Sequence, residues 1–315
     1  MKAFRKSISV ILAITVLLAL FCIFSACFGT SGDNDDQGAQ DTQGTQDTQG
    51  EKEDKEDKED KQDQEEGDIV EGPGGLELIV LEDGTYGVSA FTAENITEVV
   101  IPSEYNGKSI TSIESNAFKD CAGLTSITMP NTITSIGYYA FYGCAALKSI
   151  TIPAGVTSIG GSLLSGCTEL ESITVLEGNT VYKSIGNCLI ETESKTLVAG
   201  CKNSIIPDDG SVTSIGENAF YDCIGLVSIG IPDSVTSIGG YAFWGCAGLT
   251  SASIGSDFAN MGYSAFNGCT ALTGVTFKGT MARWNEIDPN EFWNSNSSIG
   301  TIYCTDGDLT VPNKI

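Results

Sequence analysis

Histidine is absent from the whole 315-residue sequence. Nucleophilic catalysis by Ser-His-Asp or Cys-His groups needs an imidazole as its general base, and most catalytic zinc sites need imidazole ligands. The sequence also lacks any Cys-x-x-Cys pair, the usual spacing of a zinc site, although it contains 11 cysteines. These absences exclude the commonest hydrolases and zinc enzymes, and we expect no enzymatic activity, no metal and no cofactor.

Positive charge is scarce as well. The chain has 16 basic and 41 acidic residues, for a formal net charge of −25. The part after residue 72 keeps this imbalance, with 9 of the basic and 24 of the acidic residues. Nucleic acids and anionic lipid surfaces attract proteins through basic patches. The charge therefore argues against either of them as the partner.

The amino terminus predicts export. Basic residues at positions 2, 5 and 6 precede an apolar run over 8–24, which is the order found in a signal peptide. Residues 24–27, Phe-Ser-Ala-Cys, resemble the lipobox of bacterial lipoproteins, in which the cysteine thiol accepts a diacylglycerol. We predict a signal peptide over 1–26 and a lipid on Cys27, which would hold the protein at the cell surface. Because the run nearly reaches the roughly 20 residues that span a bilayer, an uncleaved transmembrane anchor is the alternative.

Residues 27–72 contain almost no large apolar side chains and are rich in Asp, Glu, Gln, Gly, Thr and Lys. Such a segment cannot bury enough apolar surface to offset its chain entropy, so it is predicted to be disordered. Repulsion between its carboxylates extends it. We interpret it as an acidic linker that lifts the folded part away from the membrane.

A 23-residue repeat dominates the rest of the chain. The second copy reads ITSIGYYAFYGCAALKSITIPAG, and a 33-residue variant segment near 179–211 separates the third copy from the fourth. A fixed period of this length predicts a solenoid. The six copies begin at Ile110, Ile133, Val156, Val212, Val235 and Phe258.

Each copy predicts one coil of the solenoid. Residues 124–129 alternate apolar and polar side chains, which favours a short strand with one buried face, and Pro130 ends it. Residues 133–136 predict a second extended stretch, and residues 140–144 a compact helical or 3-10 turn that fills the interior. One coil cannot bury its own apolar edge, so neighbouring coils must stack with parallel strands about 4.8 Å apart. The predicted fold is a strand-rich leucine-rich-repeat solenoid.

The pattern I-x-x-I-x-x-x-A-F-x-x-C-x-x-L-x-x-I-x-I-P resembles the BspA-like, or Treponema-type, leucine-rich repeat of bacterial surface proteins. The resemblance implies an amino-terminal cap or partial repeat at 73–109, repeats over 110–279 with a hairpin-like variant segment, and a closing cap at 280–315. It also implies surface display and adhesion to host or microbial partners, with no intrinsic chemistry. It does not identify a ligand.

Six cysteines occupy one position of the repeat. We interpret them as small buried hydrophobic groups with free thiols, because stacked side chains run parallel and do not reach disulfide geometry. Whether Cys188 and Cys201 of the variant segment pair is left open. The repeat cysteines are Cys121, Cys144, Cys167, Cys223, Cys246 and Cys269.

Two surfaces are candidates for binding. Strand alternation turns a ladder of hydroxyl groups outward, which either binds a glycan or only keeps the sheet soluble. The residue after the buried Phe (Leu164 in the third copy) varies between copies. Where it is aromatic, its ring is able to stack on a sugar or anchor a protein. Alternatively, these rings only shield the loops. The hydroxyl ladder comprises Ser126, Thr128, Ser149, Thr151, Ser172, Thr174, Ser228, Ser251, Ser253 and Thr276. The variable position holds Lys119, Tyr142, Ser165, Tyr221, Trp244 and Asn267, with Tyr138, Tyr139, Tyr241 and Tyr263 nearby.

These features predict a cell-surface protein that presents the solenoid to extracellular protein or glycan ligands. Tyr142, Tyr221, Trp244 and Tyr241 are the predicted ligand-binding residues. The alternative is an envelope scaffold or substrate-capture lipoprotein that acts on the same cell. The oligomeric state is not predicted.

Overall fold

The computed structural model describes residues 67–289 and 292–311. These residues lie in one compact unit. They form a strand-rich solenoid of about nine turns with little helix, which confirms the predicted fold class. The predicted signal peptide, the lipidation site at Cys27 and most of the predicted linker lie outside the described residues.

Almost all regular structure in the described residues consists of strands two to six residues long. The exceptions are a 3-10 turn, Pro73–Gly75, and one α-helix, α1, Met281–Glu286. The strands are β1 Ile69–Glu71, β2 Leu76–Val80, β3 Tyr86–Phe91, β4 Glu98–Val100, β5 Glu104–Tyr105, β6 Lys108–Ile113, β7 Ser126–Thr128, β8 Ser135–Ile136, β9 Ser149–Ile152, β10 Ser158–Ile159, β11 Ser172–Val175, β12 Tyr182–Ile185, β13 Cys188–Glu191, β14 Thr196–Ala199, β15 Ser214–Ile215, β16 Ser228–Ile231, β17 Ser237–Ile238, β18 Ser251–Ile254, β19 Asn260–Met261, β20 Gly274–Phe277, β21 Asp288–Pro289, β22 Thr301–Cys304 and β23 Gly307–Thr310.

Each regular coil contributes one strand to each of two parallel sheets. In the short-strand sheet, Ser135 pairs with Ser112 on one side and with Ser158 on the other. In the long-strand sheet, Ile173 pairs with Ile150. These pairs join residues one repeat apart, so equivalent positions of the regular coils stack in register. The long strands alternate exposed and buried residues in β9 and β16, which confirms that their Ser, Thr and Gly positions face outward.

The third side of the solenoid, which we call the turn ridge, is a run of tight turns and not the helical or 3-10 turn that the sequence predicted. The second and the sixth residue of each run have positive φ, as do Tyr139 at 58° and Gly143 at 72°, and they prevent a continuous right-handed helix. In the regular coils alternate backbone N–H groups donate within the turn, as Lys119 N does to Asn116 O at 3.0 Å, and those between them donate to the next coil. Phe118 N donates to Ala140 O at 2.9 Å, for example. The turn ridge comprises residues 115–121, 138–144, 161–167, 217–223, 240–246 and 263–269.

The core is a column of equivalent apolar side chains inside the coils. The rings of Phe220 and Phe243 stack with centroids 5.0 Å apart, and those of Phe243 and Phe266 at 4.9 Å. Isoleucines of both sheets and the leucine after each cysteine complete each layer. Because each layer touches only its neighbours, stability is expected to accumulate coil by coil.

The variant segment forms an antiparallel meander that divides this core in two. Strand β12 pairs with β13 through a turn at Gly186 and Asn187, both with φ of 58°, and β13 pairs with β14. These antiparallel pairs confirm the hairpin-like character predicted for the segment. Leu189 of β13 packs into the amino-terminal core, whereas Ile190 on its other face packs into the carboxy-terminal core. The meander is therefore a layer between the two cores and is buried on both of its faces.

Both ends of the solenoid are covered. At the amino terminus β1, β2 and β3 form an antiparallel meander. Strand β1 starts at Ile69, within the stretch that the sequence assigned to the linker, because β2 offers it a free edge. At the carboxy terminus Trp284 and Trp293 are buried and pack edge-on against Phe277 and Phe266, so they cover the last coil.

Close stacking of the coils predicts that the glycine after the short strand is essential. A Cβ atom on Gly239 would lie 2.6 Å from the backbone nitrogen of Glu217 in the preceding coil. Gly239→Ala should therefore lower the free energy of unfolding by about 1–3 kcal/mol, or the melting temperature by roughly 2–4 °C per kcal/mol. Gly123, whose added Cβ would meet nothing within 4 Å, is the matched control, and Gly123→Ala should leave thermal unfolding unchanged. Equal melting temperatures for the two variants would contradict this packing.

Candidate functional site

Two parallel rows of side chains project from the turn ridge. The first, the aromatic row, holds the residue after the buried Phe or Leu of each coil. The second, the left-handed row, holds the positive-φ residue three positions earlier. Their identities vary while the backbone that carries them repeats. The aromatic row is Lys119, Tyr142, Ser165, Tyr221, Trp244 and Asn267, and the left-handed row is Asn116, Tyr139, Ser162, Asn218, Tyr241 and Ser264.

Neighbouring members of the aromatic row touch. The rings of Tyr221 and Trp244 stack with centroids 4.6 Å apart and planes 12° apart. The Tyr142 ring lies 6.4 Å from the Tyr221 ring at 45°, and Lys119 Nζ lies 5.5 Å from the Tyr142 centroid. The structure therefore brings three of the four predicted ligand-binding residues into one line. Tyr241, the fourth, lies in the left-handed row and packs edge-on against Tyr263 at 5.4 Å.

Tyrosine is an unfavourable residue for the left-handed row. Tyr139 and Tyr241 have φ of 58° and 57°, a conformation that costs an L-residue with a bulky side chain roughly 1–2 kcal/mol. Asn, which Asn116 and Asn218 supply at the same position, tolerates it better. The Tyr139 side chain is 43% exposed, so burial of the ring does not fully compensate the strain. Exposed aromatic rings at strained positions are typical of a binding surface.

The ladder of hydrogen bonds along the turn ridge weakens between the third and fourth copies. Each of the first two copies donates three ridge N–H groups to the next copy, whereas the third donates only that of Gly166, to Tyr221 O at 3.0 Å. Gly200 of the variant segment donates to Ala219 O instead, since this segment crosses the ridge without a projecting turn. The ridge therefore has a break at this point.

A cleft of about 460 Å³ occupies the break. Four residues of each row line it, and the small side chains of Ser162 and Ser165 mark its middle. Ser165 is 4% exposed, and among the described residues its hydroxyl has no hydrogen-bond partner. The lining residues are Asn116, Lys119, Tyr139, Tyr142, Ser162, Ser165, Asn218 and Tyr221.

Burial and nearby carboxylates keep the tyrosines of the cleft protonated. Burial, reinforced by the charge of Asp222, raises the pKa of Tyr221 to about 12. The same two causes raise the pKa of Tyr142, with Asp120 adding to the effect, and a hydrogen bond joins the two tyrosine side chains. Burial also raises the pKa of the Asp222 carboxyl. At neutral pH the tyrosines therefore present neutral hydroxyl groups beside two carboxylates and one ammonium group.

Sequence analysis identified the variable position of the repeat but not the cleft. Asn116, Ser162 and Asn218 received no role, because their positive φ is not visible in the residue types. A signal was available: the third copy has Ser at both row positions, and the variant segment that follows it has no Ala-Phe pair. Only the structure shows that these two irregularities fall side by side.

The outward hydroxyl face of the long-strand sheet is a weaker candidate. Its long strands β9 and β11 are separated from β16 by the variant segment, so the ladder is not continuous. A second cleft of about 430 Å³ lies at this interruption, where Ile205 is 73% exposed. Neither this cleft nor the hydroxyl face contains an unpartnered buried side-chain atom among the described residues.

The repeat cysteines lie under the ridge as thiols. Cys144 Sγ donates to Phe118 O, and Cys246 Sγ to Phe220 O, both at 3.1 Å, so each thiol joins its coil to the preceding one. Burial raises the pKa of Cys167 and of Cys269 to about 12, so these thiols stay protonated. Cys188 and Cys201 are thiols as well. In the described residues, no group of three Cys, Asp or Glu side chains is arranged to hold a metal ion, and no helix is long and apolar enough to cross a membrane.

A profile of the BspA type leucine rich repeat region matches the chain in six copies, over residues 85–209 and 194–314. No curated protein sequence matches closely enough to count as a relative. Similar solved structures include a leucine-rich-repeat protein of T. pallidum, 24% identical, with 65% of this chain and 81% of that chain covered and a TM-score of 0.40. The pneumococcal vaccine antigen PcpA is 15% identical over 79% and 92% of the two chains, with a TM-score of 0.42. A leucine-rich cell-surface protein of Faecalibacterium prausnitzii is 20% identical over 72% and 99%, with a TM-score of 0.29.

The burial of the thiols predicts their order of reaction. Only the thiolate attacks a maleimide, and Cys144, Cys246 and Cys269 are fully buried with pKa values raised by burial. Cys121 and Cys304 are only half-buried. In the folded protein at pH 8, maleimide should therefore label Cys121 and Cys304 first, and the other three only after unfolding. Peptide mass spectrometry after a short reaction measures the order, and labelling of Cys246 as fast as Cys304 would contradict it.

Proposed function

The chain belongs to the BspA-type leucine-rich-repeat family, and from that premise we propose that it is a cell-surface binding protein that recognises extracellular proteins or glycans through its turn ridge. The observation that carries this proposal is the combination of a repeating backbone with varying aromatic side chains, exposed or half-buried, on one side. A rigid scaffold that presents variable aromatic residues is suited to recognition.

Three features of the aromatic row support binding there. Tyr221 and Trp244 stack on each other, so little side-chain entropy remains to be lost when a ligand covers them. Both have a polar group at the edge of an apolar ring, as interface residues often do. The Tyr221 hydroxyl also lies close enough to Asp222 to feel its charge, which gives the row a donor and acceptor beside one partly buried carboxyl.

We propose further that Cys27 carries a lipid and that the acidic segment up to about residue 66 spaces the solenoid from the membrane. The lipobox-like residues 24–27 and the high acidic charge support this arrangement. It would display the turn ridge to the surroundings of the cell. If the solenoid instead served an envelope complex as a scaffold, it would be shielded on intact cells.

Binding through the aromatic row predicts the effect of removing its largest ring. Trp244→Ala should weaken binding of the purified full-length protein to its ligand on an array of glycans and matrix proteins by at least about tenfold, the usual size of a hot-spot loss. Tyr303, an exposed ring on the long-strand sheet, is the control, and Tyr303→Ala should bind like the parent. Equal loss in both variants, or none in Trp244→Ala, would contradict the use of this row. Absence of binding to every arrayed ligand would favour the scaffold.

Lipidation predicts a specific dependence on one thiol. Cells that express the protein should incorporate labelled palmitate into the parent but not into a Cys27→Ser variant, because serine offers no thiol to the lipid transferase. Cys22→Ser, a change of the other cysteine in the same apolar run, should keep the label. Label in Cys27→Ser would place the lipid on another residue, whereas membrane retention of an unlabelled parent would indicate an uncleaved anchor.

A further inference from the structure

The cleft at the break of the turn ridge has the composition of a small-ligand site. Its volume of about 460 Å³ lies within the roughly 300–1,000 Å³ of such sites. Tyr139, Tyr142 and Tyr221 supply ring faces, while amides and hydroxyls supply both donors and acceptors. No aliphatic side chain lines it. The mixture matches a ligand that is polar at its edges and apolar on a face.

Ser165 gives independent evidence of a missing partner. Its hydroxyl is buried and unpaired within the described part of the chain, and an unsatisfied buried hydroxyl costs free energy. The equivalent positions of the neighbouring copies hold Tyr142 and Tyr221, so a large residue is compatible with the repeat at this point. Ser165 is smaller than these tyrosines and its hydroxyl lacks a partner. A ligand that supplies the missing hydrogen bond would account for both features.

The charges around the cleft select against an anionic ligand. Asp120 and Asp222 both raise the pKa of Tyr142 through their negative charge, so their carboxylates lie close to the cleft. Lys119 is the one cation among the lining residues, and its ammonium group already lies against the Tyr142 ring. A neutral ligand avoids the repulsion from two carboxylates, and the net charge of −25 acts in the same direction at longer range.

We propose that this cleft binds one neutral pyranose unit of a glycan. The C–H face of the sugar stacks on the tyrosine rings, and its hydroxyl groups bond to Ser165 Oγ and to the amides of Asn116 and Asn218. The inference rests on the proposed function and deepens it, since it names the ligand class and a second subsite of the same ridge. Trp244, which lies on the far side of Tyr221, is outside the cleft.

The test is ligand-observed NMR on the full-length protein with methyl glycosides of glucose, galactose, mannose and N-acetylglucosamine, together with the anionic methyl glycoside of sialic acid. We expect at least one neutral glycoside to bind with a dissociation constant on the order of 1 mM, as suits a ligand of this size, and sialic acid to bind at least tenfold more weakly. Failure of all neutral glycosides to bind, or preferential binding of sialic acid, would overturn the proposal.

Two substitutions at one position separate a binding role from a structural one. Ser165→Tyr continues the aromatic row as in the adjacent copies and should abolish glycoside binding while the melting temperature stays the same or rises. Ser165→Ala removes the unpaired hydroxyl and should weaken binding several-fold with no loss of stability. Asn267→Ala, at the same repeat position in the last copy, is the control and should bind like the parent. Unchanged binding in Ser165→Tyr would place the ligand elsewhere.

The result also separates this inference from the wider proposal. If Ser165→Tyr loses glycoside binding but Trp244→Ala does not, the cleft is a sugar site in its own right. If no glycoside binds while Trp244→Ala still loses an arrayed protein ligand, the ridge binds protein and the cleft inference fails alone. If Ser165→Ala binds sugar as the parent does, the hydroxyl is not a sugar contact and the proposed contact set is wrong.

Discussion

Hydrogen bonds between the backbones of successive coils hold this molecule together. Strands of two to four residues are too short to be stable as isolated pairs, and no regular coil closes a core by itself. The ridge adds a third line of bonds, such as Phe243 N to Ala265 O at 2.8 Å, and the thiols add a fourth at Cys144 and Cys246. Because backbone hydrogen bonds join successive coils along three lines, no coil can tilt or move away from its neighbours on its own. This constraint fixes the distance between equivalent side chains.

That fixed spacing explains which positions of the repeat are free to vary. Gly137 and Gly160 follow short strands where a Cβ would come within 2.4 Å of the preceding backbone, and the buried Ala-Phe pair fills the interior. Most side chains of the two rows on the ridge are exposed or half-buried and lie outside the apolar core, with Ser165 and Ser264 as the buried exceptions. Side chains there can change without disturbing the stacking, and they do, from Lys119 to Trp244. A solenoid of this kind separates the residues that hold it together from the residues that meet a partner.

The periodicity of the sequence was sufficient to predict the coils, their two strands and their buried columns, because each depends on residues within one repeat. The hairpin character of the variant segment was implied by the resemblance to BspA-like repeats. The ridge turns were predicted as helical or 3-10, since Ala140 and Phe141 read as a helical plug. The left-handed conformation of Tyr139 that prevents a helix has no signature in the residue type. The cleft depends on how the third copy meets the fourth across a 33-residue insertion. No local pattern specifies such a contact. Five of the eight lining residues were named from the sequence as variable or aromatic, but Asn116, Ser162 and Asn218 were not.

Irregularities in a regular array are informative because the array shows what the position would otherwise hold. Tyr139 is strained where Asn116 and Asn218 are not, and Ser165 is unpaired where Tyr142 and Tyr221 make ring contacts. Both departures weaken the local structure relative to the alternatives that neighbouring copies display, and both adjoin the break in the ridge ladder. Natural sequences tolerate such local inconsistency mainly at functional sites. Tyr139 and Ser165 line the same cleft, and this arrangement is the physical argument that the ridge binds a ligand there.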